Sequence, residues 1–211
     1  MSEGETTPVE VALLDYGAGN LHSLAKGLEV GGAQVEVTRR WELALERDAL
    51  VLPGVGSFGA AAASLEGGHD ELRRALEDGL PCLGICLGMQ ILFSASEEAD
   101  GQGIGFVPGR VRRLRSRTVP QMGWNDVREG GHEPSLVAYF ANSFVCEPDD
   151  PEVVRSWTEY EGDRFAAEVR RGGTRAYQFH PEKSSRAGLR LLRDFLDEVR
   201  RRRAGGGEAG P

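Results

Sequence analysis

Three stretches, residues 9–16 (VEVALLDY), 49–54 (ALVLPG) and 80–86 (LPCLGIC), are apolar along their length instead of at every second position. A strand wetted on one face alternates apolar and polar side chains, whereas a strand covered on both faces reads as a continuous run. Such strands belong in the middle of a sheet, with helices packed above and below. The intervening sequence supplies the helices. GAGN ends the first run, and Asn20 is placed to cap a helix over LHSLAKGLEVGG. DELRRALEDG has a helical pattern, with Asp70 near its start and Gly79 as its stop. LGMQILF is a further helix after the third run, and AQVEVTRR alternates with period two as another strand. This order predicts an α/β fold built on a doubly wound, mainly parallel sheet.

From residue 104 the texture changes. GIGFVPGRVRRL, PQMGWNDV, LVAYFANSFVCE and VVRSWTEY are short strand candidates with little helix between them. RFAAEVRRGGTRAYQF reads as a hairpin turning at Gly172-Gly173. The C-terminal half is therefore expected to add antiparallel strands. A last helix over residues 185–202 carries Leu189, Leu192, Leu196 and Val199 at helical spacing. With 211 residues, no linker and no internal repeat, one domain is expected over residues 9–203. An N-terminal tail (1–8) and a flexible Gly-rich tail (204–211) flank it.

Composition narrows the function classes. A net charge of −8 opposes general nucleic-acid binding, which needs a basic face. No run approaches the roughly 18 apolar residues of a membrane span, and the acidic MSEGETTPVE is no secretory signal. Three cysteines, Cys82, Cys86 and Cys146, make no disulfide framework, which fits free thiols in a reducing cytoplasm. No cofactor and no metal are called for, and neither DYGAGN nor LPGVGSFG satisfies a nucleotide-binding fingerprint.

Cys86 stands in Gly84-Ile85-Cys86-Leu87-Gly88, the spacing of a nucleophile elbow. Small residues two positions either side let a strand turn sharply into a helix. The helix N-terminus favours a thiolate, and the Leu87 amide is placed to meet an oxyanion. The plainer alternative is a buried core cysteine, since free Cys prefers the interior. Cys82 and Cys146, without flanking glycines, keep that plainer reading.

A thiolate nucleophile needs a base, and the base needs an orienting group. Among four histidines, His180 lies in AYQFHPEKSS, directly after an apolar strand. Pro181 disfavours a helical conformation at His180, so the segment is expected to continue extended. Residues i and i+2 then share a side, which puts Glu182 beside the ring. LPGVGSFG, at the end of a predicted parallel strand, has glycines at 54, 56 and 59 that let backbone N–H groups approach an anionic centre.

PGVGSFG, GICLGMQ and QFHPEKS, in this order, resemble the class I (triad) glutamine amidotransferases over residues 9–200. DYGAGNLHS, QMGWNDV and YFANSF narrow the resemblance to the glutaminase-subunit family of imidazole glycerol phosphate synthases. The resemblance implies a triad of Cys86 as nucleophile, His180 as base and acid, and Glu182 as orienting carboxylate. It implies an oxyanion site from Leu87 and an amide in Gly54-Val55-Gly56. Glutamine would be held by Gln90, by Glu98 (with Glu97 its neighbour) and by the backbone around Asn142, Ser143 and Phe144. Where the family commonly has His-Ser-Tyr, this chain has Asn142-Ser143-Phe144. The implied partner is a separate cyclase subunit with a (β/α)8 barrel, which would receive ammonia. DYGAGNLHS and QMGWN are candidate contact segments, with Trp124 as packing residue or interface anchor. The alternatives are a glutaminase subunit of another ammonia-using synthase, a non-catalytic relative, and a stand-alone γ-glutamyl thiol hydrolase.

Overall fold

The computed structural model describes residues 7–17, 21–130 and 133–205. The expected cap at Asn20, residues 1–6 of the N-terminal tail and residues 206–211 of the other lie outside the described residues. The first half alternates as its sequence demands: β1 (Val9–Leu14), α1 (His22–Val30), β2 (Ala33–Thr38), α2 (Trp41–Ala44), β3 (Ala49–Leu52), α3 (Phe58–Ser64), α4 (His69–Glu77), β4 (Cys82–Ile85) and α5 (Leu87–Gln90). The second half is β-rich: β5 (Ala95–Ser96), β6 (Gly109–Arg113), β7 (Gln121–Val127), β8 (Leu136–Asn142), β9 (Phe144–Pro148), β10 (Val154–Tyr160), β11 (Asp163–Arg171) and β12 (Thr174–Tyr177), closed by α6 (Ser185–Ala204).

The central sheet runs β10-β11-β12-β4-β3-β1-β2. Its five strands from β12 to β2 are parallel, and β11 and β10 extend one edge antiparallel. Every residue of β3 and β4 is buried, which is why those stretches do not alternate. Leu24 and Leu28 of α1 pack with Leu192, Phe195, Leu196 and Val199 of α6 on one face of the sheet. Leu72 and Leu76 of α4 cover the other with Phe58 and Ala61 of α3. Three small strands (β5-β6-β9) and the β7-β8 hairpin form separate sheets beside this core.

Four expectations change. The helix expected over residues 87–93 stops at Gln90, where the chain tightens: the Leu92 and Phe93 N–H groups donate three residues back, to the Met89 (3.3 Å) and Gln90 (3.0 Å) carbonyls. The Ile91 and Leu92 carbonyls instead accept from Ile104 (2.7 Å) and Val107 (3.0 Å), anchoring the loop that follows. LVAYFANSFVCE is two strands, broken at Ser143, where the chain leaves the β7-β8 hairpin and joins β6. The loop read at residues 52–59 ends in an unanticipated helix: Ser57 caps α3, its Oγ accepting from the Ala60 N–H. Leu189 is 39% exposed, and Phe195 takes its place on the buried stripe of α6.

Candidate functional site

Cys86 occupies the turn between β4 and α5 with φ +47° and ψ −103°, a conformation costly for any residue with a Cβ. The flanking glycines are needed for it. A Cβ on Gly84 would stand 2.7 Å from the Gly88 carbonyl oxygen, and one on Gly88 would run into the Leu52 carbonyl of β3. The first turn of α5 is therefore packed against the ends of β4 and β3 with no room for a Cβ at either glycine.

The register of the parallel strands assembles the rest. Gly84 pairs with Leu52 of β3 and Ala176 of β12, so the chain leaving each strand converges on one spot. A Cβ on Gly54 would meet His180 Cε1 at 2.9 Å, the Ile85 carbonyl at 3.0 Å and Cys86 Cβ at 3.1 Å. The Gly54 backbone thus lies against both Cys86 and His180, and Gly56, two residues on, has φ +107°, open to glycine but strained for others.

His180 is buried and its Nδ1–H donates to Glu182 Oε1 at 2.8 Å. Glu182 does not reach the ring through a continuing strand. His180 is extended, but Pro181–Lys183 is a 3-10 turn, which brings the carboxylate back under the imidazole. The main chain of His180 is held twice. Its N–H donates to the Tyr139 carbonyl (2.9 Å), and the Ser184 hydroxyl donates to its carbonyl (2.6 Å) while accepting from the Tyr139 N–H (2.9 Å). Burial lowers the His180 pKa, but hydrogen bonds to Cys86 and Glu182 outweigh it and push the value up to about 10. Burial pushes the Cys82 and Cys146 thiols up, which keeps both protonated and inert.

The remaining candidates fall on one side of this centre. Glu98 Oε2 accepts from the Phe58 N–H at the start of α3 (3.1 Å), next to the Gly54 loop. Glu97 turns away and accepts from the Arg113 N–H (2.8 Å), so the two adjacent carboxylates are separated by geometry. Gln90 Nε2 and Asn142 Nδ2 both donate to the Phe144 carbonyl (3.1 and 3.2 Å), and Leu114 N–H donates to the Ser143 carbonyl (2.9 Å). Leu87, buried, follows Cys86 as the first residue of α5. Gln178 was not a sequence candidate. Its Nε2 donates to Cys86 Sγ at 3.6 Å, and period-two counting back from His180 would have pointed to it. The Ala141 carbonyl also faces Sγ, at 3.9 Å. Among the described residues no group of three His, Cys, Asp or Glu is placed to hold a metal, and no helix is long and apolar enough to cross a membrane.

Outside this centre, Met122, Trp124 and Val137 are exposed on the β7-β8 hairpin (67%, 56% and 48%). Trp124 packs edge-on against Tyr139, and the Lys183 ammonium lies 5.8 Å over the Tyr139 ring. This patch sits directly behind the backbone that holds His180.

A class I glutamine amidotransferase family model matches residues 12–199. Imidazole glycerol phosphate synthase subunit HisH of Thermus thermophilus is 47% identical over 190 residues, 87% of this chain and 95% of that protein. The subunit of the same name from Synechocystis is 40% identical over 202 residues, 90% of this chain and 96% of its own length. A solved glutamine amidotransferase superposes with a TM-score of 0.72 at 24% identity, covering 90% of this chain and 98% of that one.

Proposed function

Since the chain belongs to the class I glutamine amidotransferases and, within them, to the HisH subunits of imidazole glycerol phosphate synthase, we propose that it is a glutaminase working for a separate synthase subunit. The observation that carries the reading is the surroundings of Cys86: a cysteine on a strained elbow, lying with a buried histidine against the Gly54 backbone, the histidine itself held by a carboxylate. The Cys86 sulfur attacks the side-chain amide carbon of glutamine. The Leu87 amide and one amide of Gly54-Val55-Gly56, turned inward, meet the oxyanion. His180 gives its proton to the departing nitrogen, leaving a γ-glutamyl thioester and ammonia. It then takes a proton from water, whose oxygen forms glutamate and restores the sulfur. Glu182 keeps the ring in the tautomer and orientation this needs. Glu98 suits the α-ammonium of glutamine, with Gln90 and the Asn142–Phe144 backbone on its other side. That support is main-chain, so the change from His-Ser-Tyr leaves it intact.

The ammonia acceptor is a cyclase subunit with a (β/α)8 barrel, joined as a heterodimer in the cytoplasm, and the exposed Trp124 patch is its contact face. The experiment is to form the complex with Cys86→Ala and supply either glutamine or ammonium. Glutamine-dependent product should vanish and ammonium-dependent product persist. Glutamine-dependent product from the variant, or loss of both activities in a folded complex, would overturn the reading.

A further inference from the structure

Gln178 is fully buried, yet the fold satisfies only part of its side chain. Its backbone N–H belongs to the sheet, donating to the Ala167 carbonyl at 2.9 Å. Its side-chain Nε2 reaches Cys86 Sγ, and its Oε1 is buried with no hydrogen-bond partner among the described residues. A buried amide kept for packing alone would have both ends paired or be replaced by an apolar chain, because an unpaired polar atom is costly. Among the described residues, the one hydrogen-bond partner of its side chain is the Cys86 sulfur.

Sulfur's other neighbours show what such a contact supplies. The Ala141 carbonyl can only accept, so it favours the protonated thiol and opposes an anion. His180 donates to the sulfur only while it holds the proton it must later give to ammonia. The sulfur is anionic before attack and again as the thioester is released, and an amide N–H can donate to it at both stages without giving up a proton. Gln178 and His180 are two residues apart at the end of one strand and face the same side, so a single backbone segment sets both against Cys86.

We propose that Gln178 is a further site residue that stabilises and aims the Cys86 thiolate through its Nε2–H, independently of the state of His180. This rests on Cys86 being the nucleophile. Iodoacetamide alkylation of Cys86 in the full chain, followed against pH by mass spectrometry, reads the sulfur directly, without relying on turnover. Gln178→Met fills the same space without a donor, and Gln178→Glu replaces the donor with an anion. A lost hydrogen bond to a charged acceptor corresponds to about a tenfold effect. The Met variant should therefore alkylate about tenfold more slowly at neutral pH, with its profile displaced upward, and the Glu variant more slowly still. In the complex, kcat should fall while KM for glutamine stays within about twofold. Unchanged alkylation profiles in folded variants would overturn the proposal, whereas glutamine-dependent product from Cys86→Ala would instead overturn the functional reading beneath it. Should neither variant fold, the unsubstituted chain decides: the Gln178 side-chain amide resonance must move with the titration of Cys86, and a pH-independent resonance would sink the idea.

Discussion

A side chain held at φ +47° has to be held there by its surroundings, and at Cys86 those surroundings are the backbone of three strands. The strain of such a conformation is on the order of 1–3 kcal/mol. What it achieves is placement: the sulfur leaves the sheet at the point where His180, Gln178 and the Gly54 loop converge. His180 has the opposite problem, a charge to be kept in a dry place. Its raised pKa means the folded protein holds a proton more tightly than the unfolded chain does. The resulting stabilisation is complete below the unfolded value of 6.5 and is lost as pH rises through about 10. Thermal melts should therefore show the unsubstituted chain losing on the order of 2 kcal/mol relative to His180→Gln between neutral pH and pH 10. A stability difference between the two that stays constant over that window would mean the imidazolium is not favoured by its partners.

Elements matter here through the way small sheets are pinned to the large one. Arg112 of β6 and Asp163 of β11 form a bidentate pair at 2.7 and 2.8 Å, with both side chains almost fully buried. Burial raises the Asp163 carboxyl, but the Arg112 guanidinium and the Arg115 N–H outweigh it and hold the carboxyl below the usual carboxylate range. Its contribution is present above the ordinary Asp value and fades as pH falls below it. Asp163→Asn leaves Arg112 buried without its counter-charge and should cost about 3 kcal/mol in denaturant unfolding. A loss under about 1 kcal/mol would show that Glu147, also bonded to Arg112, carries the pair. This joint was not legible in the sequence, because Arg112 and Asp163 belong to strands 51 residues apart and their pairing exists only once β6 docks beside β11. Near-continuous apolar runs did reveal β1, β3 and β4, since burial on both faces marks every residue of β3 and β4 and all of β1 but Glu10. The elbow and His180 were readable because glycine and proline restrict local backbone. The length of α5 was not, since a buried apolar run looks the same whether it is helix or turn. Gln178 was legible only through its place two residues before His180, since a glutamine by itself carries no sign of what it faces.

Taken as a whole, the molecule gathers its candidate site at the carboxyl ends of β3, β4 and β12 and carries a cluster of exposed apolar side chains on the neighbouring hairpin. The two are joined by one strand. Tyr139 of β8 packs edge-on against Trp124 on the outside, while its main-chain N–H and carbonyl bond to Ser184 and His180 on the inside. Ala141 of the same strand carries the carbonyl that faces Cys86. Anything that seats itself on Met122, Trp124 and Val137 therefore presses on the backbone that sets His180 and the sulfur. Gly56, at φ +107°, gives the loop beside Cys86 a backbone freedom that suits the proposed turning of an oxyanion amide. The expectation is that the isolated chain turns over little glutamine and that the partner subunit raises the rate strongly. Trp124→Ala separates contact from fold. Its side chain is 56% exposed, so melting of the isolated chain should shift little. An aromatic anchor buried at the centre of an interface is worth about 2 kcal/mol, roughly thirtyfold in Kd. Titration calorimetry with the proposed cyclase partner should show that loss, and ammonia release measured below saturation should fall in proportion. Full turnover by the chain alone would mean the site is complete without a partner. Unchanged Kd in the Trp124 variant would place the contact on a different face.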